Sequence, residues 1–177
     1  LIKEDVKKYN HWSADLKKTI PALKQIPKLF FNNEWTVESI EENKNVILKK
    51  LDSKCGIDWI VENKQQIITV ASRIQFGNNW GSFTIREQRH TGTKTEYEKR
   101  VEAIEKGYLY PLYTCQCYFK DDYTFLGGAI MRTVDLYKSL ENGCSKKKSD
   151  NIFKVKYFKD IQQEGFNIKI INNQNRL

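Results

Sequence analysis

A lone acid and a pair of polar side chains two residues apart are the first chemically suggestive features of the sequence. Asp58 closes the run Gly56-Ile57-Asp58, and Arg73 and Gln75 fall in the next apolar segment. On an extended strand, Thr69, Ala71, Arg73 and Gln75 share one face. Arg86 lies on the segment after that, with Thr84 on its own face. Guanidinium groups can grip phosphate through parallel N–H donors, so two arginines and a glutamine on adjacent strands favour a phosphate ligand. Lys94, Lys99 and Arg100 follow closely and would extend the patch, and Trp80 offers a ring that could stack on a base. Plainer roles compete. Asp58 could cap a strand start, Arg73 and Arg86 could pair across strands with Asp58 or Glu87, and Trp80 could belong to the core.

Composition narrows the partner. The chain has 177 residues, enough for one domain with a sizeable core. Thirty Lys and Arg against 22 Asp and Glu give a net charge of +8, which favours an anionic partner such as nucleic acid. A protein subunit or a second copy of the chain remains a further partner. Cys55, Cys115, Cys117 and Cys144 form no CxxC pair, and His11 and His90 are not spaced for zinc, so free thiols in a reducing cytoplasm are expected. No apolar run is long enough to span a membrane. Leu1 in place of methionine points to a trimmed or partial chain.

These side chains need elements to hold them. Residues 1–34 read as an N-terminal helical appendage. Ser13 would cap a helix bearing Leu16, Ile20 and Leu23, and Trp12, Leu29, Phe30 and Phe31 would dock on the core. Residues 35–145 read as the core. Thr36 is expected to cap a helix carrying Val37, Ile40, Ile47, Leu48 and Leu51, with Glu38, Glu41 and Glu42 in its first turns. A hairpin follows: Ile57–Val61, a turn over Glu62–Gln65, and Ile67–Phe76. Ser82–Glu87 is a third strand. Thr93 and Glu96 have capping-box spacing before a helix that ends at Gly107. Strands are expected over Tyr108–Phe119 and Thr124–Arg132, the latter with a bulge or close contact at Gly127-Gly128, then a helix over Val134–Leu140. Residues 146–177 read as a C-terminal β extension packed on the core, with Lys146-Lys147-Lys148 in a loop and strands at Phe153–Phe158 and Asn167–Ile171.

The order from Thr36 to Phe119 is helix, strand, strand, strand, helix, strand. With Asp58 at the end of GID and the piece ITVASR at Ile68–Arg73, the chain resembles the PD-(D/E)XK nuclease superfamily. ITVASR is similar to the strand that reads I-E-V-K-S-R in archaeal-type Holliday junction resolvases. The resemblance implies an α+β fold: a mixed sheet flanked by helices, with an αβββαβ restriction-endonuclease-like core. It also implies Mg²⁺, which activates water and neutralises phosphate charge. In that register Thr69 stands in place of the metal-binding glutamate and Ala71 in place of the lysine. Two expectations follow. In one, the site is rearranged: Asp58 and Glu96 hold the metal, Glu96 coming from the following helix, and Arg73, Gln75 and Arg86 hold the phosphate of a DNA substrate. The protein is then an endonuclease of phage, mobile-element or restriction type. In the other, catalysis is lost, and the fold binds nucleic acid or a protein partner in a replication or defence complex.

Overall fold

The structure is a computed structural model, and it describes residues 18–32, 34–40, 45–89, 92–148 and 151–173. The expected cap at Ser13, together with His11, Trp12, Leu16, Glu41, Glu42 and His90, lies outside these residues. Residues 18–23 are helical, and a short helix α1 (Ile26–Phe30) follows with proline in its first turn, where the missing N–H costs nothing. Ala22, Leu23, Ile26, Leu29 and Phe30 are buried against Trp59, Val61, Ile68 and Val70. The apolar run at Leu29-Phe30 therefore docks on the core as expected.

The helix expected from Thr36 is absent. Thr36–Ser39 is instead a strand, β1, paired antiparallel with β2 (Trp59–Glu62) from Thr36↔Glu62 to Ser39↔Trp59. Val37, Ile40 and Ile47 match a helical period, but pairing with a distant strand decides the local conformation. Among the described residues of this segment, helix occurs in α2 (Val46–Lys50), which continues as a π-helical turn over Leu51–Cys55. Val46 and Ile47 are exposed rather than packed.

The hairpin stands as expected, with β2 antiparallel to β3 (Ile67–Phe76). Two sheets organise the rest. The main sheet runs β1-β2-β3-β5-β6-β9, where β5 is Tyr113–Phe119, β6 is Phe125–Arg132 and β9 is Ile168–Asn172. Among the described residues, only β3 and β5 are parallel neighbours, and a parallel pair needs a long crossover; helix α3 (Glu96–Lys106) lies within it. The second sheet runs β4-β8-β7, from β4 (Ser82–Gln88), β8 (Asn151–Tyr157) and β7 (Cys144–Lys148). The lysines expected in a loop thus form an edge strand. All five residues of β7 are exposed, so burial leaves no period in its sequence. Helix α4 (Thr133–Leu140) matches expectation, while α5 (Phe158–Gln163) falls where the sequence suggests no helix.

The fold is α+β, with a mixed sheet flanked by helices. The order α2-β2-β3-β4-α3-β5 follows the expected helix-strand-strand-strand-helix-strand, with two departures: β1 precedes it, and β4 leaves the main sheet for the second one. Among the described residues, no helix is long and apolar enough to cross a membrane.

A core lies on each face of the main sheet, and the period of two sorts residues between them. Cys115, Cys117 and Phe119 join the α1 side. Tyr118, Ala129 and Met131 join the other, against Phe83 and Ile85 of β4, Leu136 and Leu140 of α4, and Phe158 and Ile161 of α5. The four cysteines are unpaired. Gly128 is where the backbones come close: a Cβ there would stand 2.6 Å from the Gln116 carbonyl. The neighbouring register shift sets Tyr118 opposite Gly127 and Phe119 opposite Phe125, a bulge at Leu126.

Tyr118 pins the two sheets together. Its buried hydroxyl donates to the Ser82 carbonyl at 2.6 Å and accepts from the Ser82 N–H at 3.3 Å. Burial pushes the Tyr118 phenol above its ordinary pKa, so it stays a donor. Tyr118→Phe leaves the Ser82 carbonyl without that donor. Urea unfolding should show a loss of about 1–3 kcal/mol; an unchanged midpoint would mean the hydroxyl does not hold the sheets together.

Candidate functional site

Asp58 immediately precedes β2 and is fixed on all sides. Its N–H donates to the Val70 carbonyl and its own carbonyl accepts from the Ile40 N–H, both at 2.9 Å. Its Oδ2 accepts from the Ser72 N–H at 2.5 Å and from the Ser72 hydroxyl at 3.0 Å. The Trp59 indole N–H in turn donates to the Ser72 oxygen at 3.1 Å. The chain Trp59–Ser72–Asp58 sets the direction of the carboxylate, as a carboxylate that binds a ligand requires.

The turn that delivers Asp58 depends on Gly56 and Arg100. Gly56 ends the π-helical turn at φ 61°, in the left-handed region that favours glycine. A Cβ there would also meet the Arg100 guanidinium at 2.7 Å. Arg100 reaches back from α3 and donates to the carbonyls of Cys55 at 2.6 Å and Gly56 at 3.4 Å. Its side chain is buried, two of its nitrogens hold the turn from the cavity floor, and its Nε has no hydrogen-bond partner.

The start of α3 decides where Glu96 points. Thr93-x-x-Glu96 and Thr95-x-x-Glu98 both have capping-box spacing. The box forms on Thr95, correcting the expectation for Thr93. The Glu98 N–H donates to the Thr95 hydroxyl oxygen at 3.3 Å, and the Thr95 N–H donates to the Glu98 carboxylate at 2.7 Å. The bond from the Thr95 N–H, then one from the Thr95 hydroxyl to the same carboxylate at 3.1 Å, hold the Glu98 carboxyl below its ordinary pKa. Glu96 is left clear of the cap, and Arg73 of β3 donates to its Oε2 at 2.6 Å.

Three of the four expected catalytic residues thereby meet. Asp58, Arg73 and Glu96 line one cavity of about 230 Å³, with Gly56, Ala71, Ser72, Arg100 and Thr114. A smaller cavity of about 170 Å³ shares Gly56, Glu96 and Arg100 and is bordered by Asp52, Arg89 and Lys99. Gln75 is the exception, lining a separate groove with Trp80. Thr69 lies outside the cavity and accepts from the Leu112 N–H at 3.0 Å. The strand positions that face the cavity are Ala71 and Arg73, two residues beyond the Thr69–Ala71 register suggested by sequence.

Charge around Glu96 is mostly positive. Burial, then the nearby Arg89 and Arg73 charges, lower the basicity of Arg86, while Glu96 opposes the shift. The Arg73 and Arg86 guanidinium groups both lie near the Phe153 ring, at 5.8 and 5.6 Å from its centroid. The Nε atoms of Arg86 and Arg89 are buried without a hydrogen-bond partner. Crowded guanidinium groups of this kind suit an anion that accepts several hydrogen bonds. Lys94 pairs with Glu102 at 2.5 Å, away from the cavities, and Trp80 is 63% exposed. Burial raises the Asp52 carboxyl above its ordinary range.

For a metal, the main cavity offers two carboxylates, Asp58 and Glu96. No group of three or more His, Cys, Asp or Glu that could hold a metal occurs among the described residues. That set fits Mg²⁺, which takes one or two carboxylates, keeps several waters and completes its shell with phosphate oxygens. It does not fit a metal that needs an all-protein cage.

Sequence reasoning gave no site role to Ser72, which belongs to the polar cluster with Arg73 and Gln75, to Arg89 in the polar loop from Gln88 to Lys94, or to Asp52. Arg89 had a signal, standing three residues after Arg86 in a strand-to-loop run. The other two become visible only once β2 and β3 are paired and the π-helical turn is formed.

No family model matches the chain, and no match is found among curated proteins or solved structures.

Arg100→Met should lower stability by about 2–3 kcal/mol in urea unfolding, because two half-buried carbonyls lose a charged donor. The exposed neighbour substitution Lys99→Met should change it by about 0.5 kcal/mol or less. Equal effects from the two would contradict the role given to Arg100.

Proposed function

We propose that the protein is a Mg²⁺-dependent endonuclease of the PD-(D/E)XK type acting on DNA, with its second acid moved from the strand to α3. The observation that carries the reading is the convergence of Asp58, Arg73 and Glu96 on one cavity. The geometry supports it in three ways. Asp58 stands at the start of the second strand of the main sheet. Ala71-Ser72-Arg73 on the third strand offers the Glu-x-Lys spacing with a small residue in the acid position and a cation in the basic one. Glu96 supplies a carboxylate to the same cavity from the helix.

The roles follow from the contacts. Asp58, held by Ser72, and Glu96, held by Arg73, would bind Mg²⁺. The ion, when bound, would activate water and offset charge on the phosphate. Arg73 has two tasks: it orients Glu96, and it presents positive charge to the scissile phosphate. Arg86 and Arg89 would take the remaining phosphate oxygens, and the transition state gains more from them than the ground state as negative charge develops. Gln75 lies outside this cluster, so we assign it to substrate binding.

A second reading is favoured by one observation. Glu96 already has a cationic partner at 2.6 Å, and an arginine-rich cavity can bind phosphate with no metal at all. The protein would then bind DNA, or a DNA-bound complex, without cutting it.

Purified protein incubated with supercoiled, linear and branched DNA and Mg²⁺ or Mn²⁺ separates the two readings. Cleavage should occur, should stop with EDTA, and should fall by about 10²-fold or more in Asp58→Ala and Glu96→Gln, a loss typical for removing charge stabilisation from such a site. Cleavage that is undiminished in Asp58→Ala, or that never occurs while DNA still binds in EDTA, would overturn the enzyme and leave the binding module.

A further inference from the structure

The groove on the second sheet has no part in the chemistry above, and its lining has a distinct character. It encloses about 390 Å³, larger than the cavity at Asp58. Lys146, Lys147 and Lys148 of the edge strand β7 supply one side, and the rings of Trp80, Phe153 and Tyr157 supply apolar surface. Among the described residues, no aspartate or glutamate lines it. Gln75 lines it too, and its side-chain carbonyl is buried with no hydrogen-bond partner.

We infer that this groove seats an unpaired stretch of the nucleic-acid strand whose phosphate occupies the arginine cluster. The inference rests on the nucleic-acid reading above and adds to it the substrate class: a strand with unpaired nucleotides beside the site, as at a flap, fork or single-stranded end. Three observations carry it. First, cations and aromatic rings line the same groove, and this is the combination that binds single strands: lysines follow the phosphates while bases stack on rings. A closed duplex keeps its base faces inside the stack and has none to offer Trp80.

Second, Trp80 is presented rather than buried in packing, and Phe153 and Tyr157 are half-buried. Trp80 is 63% exposed. Lys146 donates to the Tyr157 hydroxyl at 2.8 Å and lies 5.2 Å from its ring centroid, which fixes that ring at the groove wall. Third, Phe153 stands between the groove and the arginines of the candidate site. Phe153 lines the groove, while the Arg73 and Arg86 guanidinium groups lie 5.8 and 5.6 Å from its centroid. A strand leaving the arginine cluster therefore crosses Phe153 and meets the lysine strand.

The test uses metal-free binding, so it does not depend on cleavage. A fluorescein-labelled oligo(dT) is titrated in EDTA at several salt concentrations, against a blunt duplex of equal length. The oligo(dT) should bind more tightly than the duplex, and Trp80→Ala should weaken it about fivefold or more. The double variant Lys147→Gln/Lys148→Gln should reduce the slope of log K against log salt by about 1.4, or about 0.7 for each phosphate that is no longer neutralised. All three positions are exposed on the surface, so the variants should fold, which circular dichroism verifies. A duplex that binds as tightly as oligo(dT), or affinity and slope unchanged in both variants, would overturn the groove.

The two proposals fail separately. DNA cut in an Asp58-dependent way with oligo(dT) binding indifferent to Trp80 and the lysines would remove the groove alone. Oligo(dT) binding that depends on them, with no DNA cut under any condition, would remove the nuclease and keep the groove. No binding to any nucleic acid at low salt would overturn both.

Discussion

The ion pair between Arg73 and Glu96, at 2.6 Å, joins the third strand of the main sheet to the start of α3. The two residues are far apart in sequence, and the pair is only half-buried, so its net contribution to stability is modest. Its importance is positional. It turns Glu96 toward the cavity that holds Asp58, and it anchors the guanidinium group around which Arg86 and Arg89 gather. If the pair opens, the cavity keeps one well-fixed carboxylate and an undirected cluster of cations.

The pair can form only because other groups leave both partners available. Thr95, not Thr93, caps α3, so the capping acid is Glu98 and Glu96 is not spent on the helix end. Asp58, the other nearby acid, accepts from Ser72 and does not compete for Arg73 through that oxygen. Arg100, four residues after Glu96 on α3, serves the turn at Gly56 and leaves Glu96 to Arg73. Each is a local choice between equivalent partners, and together they give the cavity two acids and a cation.

Much of this was legible from sequence, and what was not has physical causes. The hairpin β2–β3, strand β4 and helix α3 follow strong periods with glycines or polar runs at their ends, so Asp58, Arg73 and Glu96 could be named as site candidates. The β1 strand could not be found: Val37 and Ile40 fit a helix, and only pairing with Trp59–Glu62 makes the segment extended. The β7 strand hid because a fully exposed edge leaves no alternation in a run of lysines. Sheet membership was also invisible. Nothing in SFTIRE tells that it pairs with residues near 155 rather than with its neighbour β3, yet that choice creates the groove beside Trp80. The same limit explains the register of the acid position. Thr69 and Ala71 share a strand face, and only the placement of α3 shows that the cavity opens over Ala71 and Arg73.

The central claim is that Asp58 and Glu96 together hold a divalent ion beside a phosphate bound by arginines. Crystals of the protein grown with Mn²⁺ and a short DNA, measured for anomalous scattering, test it most directly. The account predicts an anomalous peak about 2.1 Å from a carboxylate oxygen of each residue, with a DNA phosphate on the Arg73–Arg86 side. A phosphate seated directly on the arginines, with no Mn²⁺ between Asp58 and Glu96, would contradict it.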